Sequence, residues 1–183
     1  MPDTVSYASL SSPLGTVWLA ATSRGLARVS FGTDELEFSF ELERAYGIVP
    51  EWDPEGLEPM IRQLEEYFAG NRTVFDMPID LGRASEFQRT VLETVRQVPY
   101  GEVQSYGDIA FAVGKPQAAR AVGGVMATNP VAIVIPCHRI VRSDGSHGQY
   151  ALRTLGPSGA TMREVLLNLE ARSTVAGSTR PGR

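Results

Sequence analysis

The chain is 183 residues long, 43% hydrophobic and 21% charged, with a formal net charge of −4. That length buries a sizeable core in one ordinary domain or two small ones. The composition excludes general disorder, and no apolar run reaches the length of a membrane span. One cysteine in the whole chain excludes an intramolecular disulfide. With Asp3 near the start and no basic region there, no secretory signal is expected, and the expected setting is reducing and cytoplasmic, where a free thiol survives.

Residues 5–31 hold apolar segments at Val5–Leu10, Thr16–Ala21 and Leu26–Phe31, separated by turns at Ser12-Pro13-Leu14-Gly15 and Ser23-Arg24-Gly25. This predicts a small antiparallel meander. An acidic helix is expected over 34–46, anchored by Leu36, Phe40 and Leu42, then a loop over 47–56. Leu57, Met60, Ile61, Leu64 and Phe68 repeat at helical spacing up to Gly70-Asn71. Phe75–Ile79 reads as a short strand, placed at an edge by Pro78. Gly82–Ser85 is the expected junction: residues 1–82 form the first domain, 83–172 the second, and 173–183 a fraying tail.

Beyond the junction Phe87, Val91, Leu92 and Val95 predict a helix that ends at Pro99-Tyr100-Gly101. Ser105 is an N-cap, with Asp108 at the third position after it. Tyr106, Ile109, Ala110 and Val113 give that helix its apolar side. Gly114-Lys115-Pro116 is the turn into a second helix, Gln117 to Ala127, with proline opening it. Helix, short turn, helix is the helix-turn-helix pattern, which also describes ordinary helical packing. Small residues Ala118, Ala119, Ala121 and Ala127 let another surface approach this backbone closely, while Gly123 and Gly124 cost helix stability. A last helix is expected over 159–171, with Met162, Val165, Leu166 and Leu169 facing the core.

The sole cysteine lies in Val131–Tyr150. An apolar run, Val131–Ile135, predicts a buried strand or extended segment, closed by Pro136. Cys137 and His138, one of two histidines, follow at once, and Ser143-Asp144-Gly145-Ser146 is a turn. This is the place for a nucleophile, since a base or a helix N-terminus raises the thiolate fraction. A buried structural cysteine is the other reading of the same residues. Cys137, His138 and His147 lack a recognisable metal spacing, so no metal site is expected.

Charge bears on the partner. Residues 1–80 hold 5 basic and 14 acidic residues, whereas residues 81–163 hold 9 and 5. A mildly positive second half permits phosphate contact without demonstrating it.

Ile135-Pro136-Cys137-His138-Arg139-Ile140-Val141 resembles the active-site segment of the O6-alkylguanine-DNA alkyltransferases. The resemblance extends through Pro99-Tyr100-Gly101-Glu102, Ser105-Tyr106-Gly107-Asp108-Ile109-Ala110, Ala118-Ala119-Arg120-Ala121-Val122-Gly123 and Asn129-Pro130. It also covers the Arg163–Glu170 stretch and, more loosely, the first domain at Ser12–Gly15 and Tyr67-Phe68-Ala69-Gly70. It implies an α+β chain: a small N-terminal α/β domain of ribonuclease H-like type and a mostly helical domain with a helix-turn-helix. It implies a protein, monomeric in solution and able to line up on DNA, that binds duplex DNA containing O6-alkylguanine in the minor groove. The lesion is flipped out, and Cys137 takes the alkyl group once and irreversibly.

The resemblance also assigns roles. His138 takes the thiol proton through a water, and Glu170 orients His138 and favours its imidazolium form. Asn129 braces the turn before the active-site segment. Tyr106 assists flipping and donates a proton to the leaving purine. Arg120 fills the vacated stack, and Gln117, Ala118, Ala119 and Ala121 lie along the DNA-facing helix. Pro136, Ile140, Tyr150 and Ala151 border the substrate pocket, and Arg139 is structural. No cofactor is implied. The loop at 151–159 is longer and less glycine-rich than in most relatives, and Ala151 lacks the hydroxyl some carry there. The zinc held by some relatives is not expected, because residues 1–80 contain neither Cys nor His. The alternative is a catalytically inactive alkylguanine lesion-binding protein that recruits repair factors; such proteins lack the cysteine. A sequence-specific regulator is a third possibility.

Overall fold

The computed structural model describes residues 4–145, 154–155 and 160–177. The chain forms two compact units, Met1–Arg83 with Pro130–Ala132, and Ala84–Asn129 with Ile133–Arg183.

In the first unit β1 (Val5–Ser12), β2 (Gly15–Thr22) and β3 (Gly25–Phe31) form the meander. Ser12 pairs with Gly15 and Thr22 with Gly25, so each hairpin turns on two residues. Gly25, at φ 128, is required: a Cβ there would collide with the Pro78 carbonyl. Asp34 caps α1 (Glu35–Tyr46) by accepting the Glu37 N–H at 2.8 Å, and Gly47 ends it in the left-handed conformation. β4 (Glu51–Trp52) adds a parallel strand beside β1, giving the order β3-β2-β1-β4. α2 (Glu58–Phe68) follows and packs against β1.

Three expectations for this unit need correction. Leu36 and Phe40 are 79% and 64% exposed, and the anchors are Phe38, Leu42 and Tyr46. Phe38 and its i+4 and i+8 partners share one face, and Leu36 and Phe40 share another. That buried face meets Val5, Tyr7, Trp18, Ala20 and Ala27 of the sheet. The expected loop at 47–56 contains β4 because Trp52 packs edge-on to Tyr7, with ring centroids 5.3 Å apart. Phe75–Ile79 is not a strand. Only Ile79 makes a bridge, to Leu26, while Leu26 donates to the Pro78 carbonyl at 2.9 Å.

In the second unit α3 (Glu86–Arg96) opens with a capping box of Ser85 and Gln88, and buries Val91, Leu92 and Val95. β5 (Gln104–Ser105) leads into α4 (Tyr106–Ala112), capped by Ser105 and Asp108 as expected. α5 (Ala119–Ala127) completes a three-helix packing with α3 and α4. Pro116 does not open α5. The Ala118 N–H closes a turn onto the Lys115 carbonyl at 2.8 Å, and the helix begins one residue later.

Residues 131–135, all buried but the half-buried Ala132, are not a strand. Ile133 takes φ 74 and turns the run back, an αL conformation costing a β-branched residue about 1–3 kcal/mol. The regular pairing comes later: β6 (Ile140–Val141) runs parallel to β5. β7 (Thr154–Leu155) and β8 (Ala160–Thr161) form a two-residue ladder before α6 (Met162–Gly177). Thr161 and Glu164 bond reciprocally at its start. α6 begins later than expected and continues to Gly177, so the first part of the expected tail is helix; residues 178–183 lie outside the described residues. Among the described residues no helix is long and apolar enough to cross a membrane.

Phe38→Ala should cost about 3–5 kcal/mol in urea unfolding, while Phe40→Ala should stay within about 0.5 kcal/mol. Equal losses would reverse the assignment of the two faces.

Candidate active site

The residues around Cys137 form two successive tight turns. Pro136 sits at φ −80, ψ 64, the geometry of an inverse γ-turn, and the Cys137 N–H donates to the Ile135 carbonyl at 2.8 Å. Asn129 Nδ2 donates to that same carbonyl at 2.9 Å, so the expected brace has a defined target. Cys137–Arg139 then form one turn of 3-10 helix, whose Cys137 carbonyl accepts the Ile140 N–H. Arg163 Nη2, from α6, reaches the same carbonyl at 3.5 Å. Both ends of the Cys137 backbone are therefore held. Its residue is only 6% exposed.

Beneath this turn lies Glu170, fully buried on α6. Its Oε1 receives His138 Nε2 at 2.7 Å and Arg139 Nη2 at 3.0 Å; its Oε2 receives Arg139 Nε and the Gly101 N–H, each at 3.0 Å. Arg139 also donates to the Val98 carbonyl at 2.6 Å and lies over the Tyr100 ring at 5.5 Å. A buried carboxylate is tolerable only when its charge and lone pairs are matched, as they are here. An ionised carboxylate accepts but cannot donate, so His138 Nε2 carries the hydrogen and Nδ1 the lone pair of the neutral ring.

Glu170 favours the imidazolium form of His138, and burial opposes it. Burial pushes His138 below its ordinary value; Glu170 pulls it up, and Arg139 and Arg163 push it further down. The fork of Arg139 already answers the carboxylate charge. The balance of these effects lies toward the neutral imidazole, a form that can accept a proton.

The remaining predicted residues divide by position. Pro136 and Ile140 are buried beside Cys137 in the chain. Tyr106 is the first residue of α4, half-buried, its ring 3.9 Å from where a Cβ on Gly123 of α5 would stand. Gln117, Arg120 and Ala121 are exposed and Ala118 and Ala119 half-buried on or just before α5. Tyr150, Ala151 and most of the 151–159 loop lie outside the described residues.

Comparison with known proteins places this arrangement. Residues 5–81 match the family model of the 6-O-methylguanine DNA methyltransferase ribonuclease-like domain, and residues 86–172 that of the 6-O-methylguanine DNA methyltransferase DNA binding domain. A methylated-DNA–protein-cysteine methyltransferase of Mycolicibacterium paratuberculosis is 37% identical over 177 residues, covering 96% of this chain and 98% of its own. The chain belongs to the methylated-DNA–protein-cysteine methyltransferase family. A member from Methanosarcina acetivorans is 38% identical, with 90% and 97% of the two chains covered. The crystal structure of Mycobacterium tuberculosis O6-methylguanine methyltransferase aligns with a TM-score of 0.76 at 35% identity, over 98% of this chain and 97% of its own. A structure of the M. tuberculosis protein in complex with DNA gives 0.73 at 34%, covering 92% and 94%.

Arg163 is the member of this site that sequence reasoning missed. It is 2% exposed and lies on the same α6 face as Leu166 and Glu170, three and seven residues on. The spacing that placed Leu166 in the core carried that signal, but a basic residue on a helix is ordinarily assigned to solvent.

The depressed His138 has a consequence for stability. At pH above its ordinary 6.5 the ring is neutral in both folded and unfolded chains. As pH falls through 6.5 the unfolded chain binds a proton that the fold refuses, so stability declines toward lower pH. Urea titrations across this range should show the decline, and His138→Gln should flatten it; an unchanged slope in the variant would assign the decline to other groups.

Proposed function

We propose that this protein repairs DNA by moving the alkyl group from O6 of guanine in duplex DNA onto Cys137, in one irreversible turnover per molecule. The observation that carries the reading is the chain's sole cysteine, in a turn fixed at both backbone ends and followed in the chain by a buried histidine that Glu170 orients. The family relationship supports it.

In the proposed reaction His138 receives the thiol proton by way of a bridging water. The sulfur attacks the alkyl carbon, a carbon–sulfur bond forms, and the bond from carbon to O6 breaks. The released electron pair passes to the purine, which Tyr106 neutralises by donating its phenolic proton. The thioether has no hydrolytic exit, so the protein is consumed. Asn129 and Arg139 hold the turn. The lesion is reached from the minor groove and flipped out of the stack, with Arg120 taking its place. Pro136, Ile140, Tyr150 and Ala151 border the flipped base. We place the protein in the cytoplasm, where a reduced thiol persists, as a monomer that needs no cofactor. Its cysteine disfavours the lesion-sensor alternative.

The outer face of α5 supports the docking surface. Gly124 is exposed, and a Cβ built on it meets nothing within 4 Å, so nothing inside the unit requires glycine there. Glycine inside a helix costs roughly 1 kcal/mol relative to alanine.

Incubation with a duplex carrying O6-methylguanine should add one methyl group to the peptide containing Cys137, and Cys137→Ser should add none. Unmodified Cys137 after stoichiometric exposure would reject the reading. Gly124→Ala should raise stability by about 0.5–1 kcal/mol while weakening duplex binding, as read by urea unfolding and fluorescence anisotropy. Unweakened binding would remove α5's outer face from the interface.

A further inference from the structure

The first unit is acidic, and four of its arginines pair with carboxylates, whereas Arg44 and Arg83 do not among the described residues. Residues 1–83 hold 14 acidic residues and six basic ones, all arginine. Three of the six, Arg28, Arg44 and Arg83, line one open cleft of about 380 Å³ with Glu41 and Ala45. A volume of this order admits a small ligand.

The three guanidinium groups are held differently. Arg28 Nη2 pairs with Glu41 Oε2 at 2.8 Å, but both side chains are more than two-fifths exposed and the pair is readily exchanged. Arg83 lies over the Tyr46 ring, 5.4 Å from its centroid, a contact that fixes the guanidinium without neutralising it. Arg44 is exposed in the last turn of α1, where the helix dipole favours a cation. That dipole accounts for one positive charge near the cleft, not three. Neither Arg44 nor Arg83 has a carboxylate partner among the described residues. At the Tyr46 phenol, burial and the Asp80 carboxylate push the pKa up, while Arg83, Arg28 and Arg24 pull it down.

We propose that this cleft binds a phosphoryl anion. Three arginines against one glutamate leave the lining at +2, which matches a phosphate dianion. Guanidinium forks arriving from β3, α1 and the end of the unit can engage several oxygens of one tetrahedral group. The same chemistry serves a free phosphate compound or a phosphate of a nucleic-acid backbone, and the test separates the two.

The full chain, labelled with nitrogen-15, is titrated with inorganic phosphate at constant ionic strength set with chloride, following the arginine Nε–Hε signals. Saturable shifts of Arg44 and Arg83, weakened roughly ten-fold in Arg44→Gln, are expected. Arg62→Gln, which removes an exposed arginine paired with Glu58 elsewhere, should change nothing. In parallel, the salt dependence of binding to an undamaged duplex is compared between the wild type and Arg44→Gln. A slope smaller by about 1 in the variant identifies the anion as a duplex phosphate. Phosphate binding with an unchanged slope identifies a free phosphate compound. Neither a saturable phosphate response nor a change of slope would overturn the proposal, as would equal losses in Arg44→Gln and Arg62→Gln. Alkyl transfer to Cys137 from a short duplex at saturating concentration should survive in both variants, showing that each is folded.

Discussion

The carboxylate of Glu170 is the point on which the second unit's chemistry rests. It is fully buried, and His138, Arg139 and the Gly101 N–H all donate to it. Those donors come from two separated stretches, the turn after α3 and the turn carrying Cys137, and the carboxylate itself comes from a third, α6. None of these stretches has a long ladder of its own to fix it; β5 and β6 pair over two residues each. The charge replaces the missing backbone regularity. Its cost is dependence, because removing one member of a buried ion pair leaves the other uncompensated, at about 3–5 kcal/mol.

The same carboxylate decides what His138 is. A lone Glu170 would draw a proton onto the imidazole and make a histidinium beside the thiol. Burial opposes this most, and the positive charges of Arg139, which also engages the carboxylate, and of Arg163 oppose it further. What remains for His138 is orientation: a hydrogen bond from Nε2 that leaves Nδ1 as the basic nitrogen. A ring held in this way can receive a proton at Nδ1.

Much of this was legible in the chain. Ser105 and Asp108 announced the start of α4, and Pro136 marked the end of the apolar run and the start of the turn that carries Cys137 and His138. Errors arose where tertiary contacts overrule local pattern. α1 carries large apolar residues on opposite faces, so spacing alone cannot say which pair meets the sheet; Tyr7 and Trp18 decide for Phe38. β4 is two residues long, too short for any periodicity, and exists because β1 offers it an edge. The run at 131–135 reads as a strand because every residue in it is apolar. Its turn at Ile133 violates local preference and persists only because the surroundings fix both ends: Val29 donates to Pro130 in the first unit, and Asn129 to Ile135 in the second. Arg163 stayed hidden because a buried arginine is invisible without its acceptor.

α5 shows the opposite relation between stability and use. Most helices in this chain start on a side-chain cap, but α5 begins at Ala118 with no side-chain hydrogen bond and carries two glycines in its interior. An internal reason for Gly124 would be a neighbour pressing on its backbone, and none is there. Gly123 faces Tyr106 at a distance that an alanine methyl would fill as ordinary contact. The helix therefore gives up propensity at two positions without gaining packing from either. What it keeps is a bare backbone and small side chains along an exposed face that also presents Arg120 and Ala121. A face thinned in this way gains free energy only when something outside the unit comes close to it, and a duplex groove is a partner that requires such an approach.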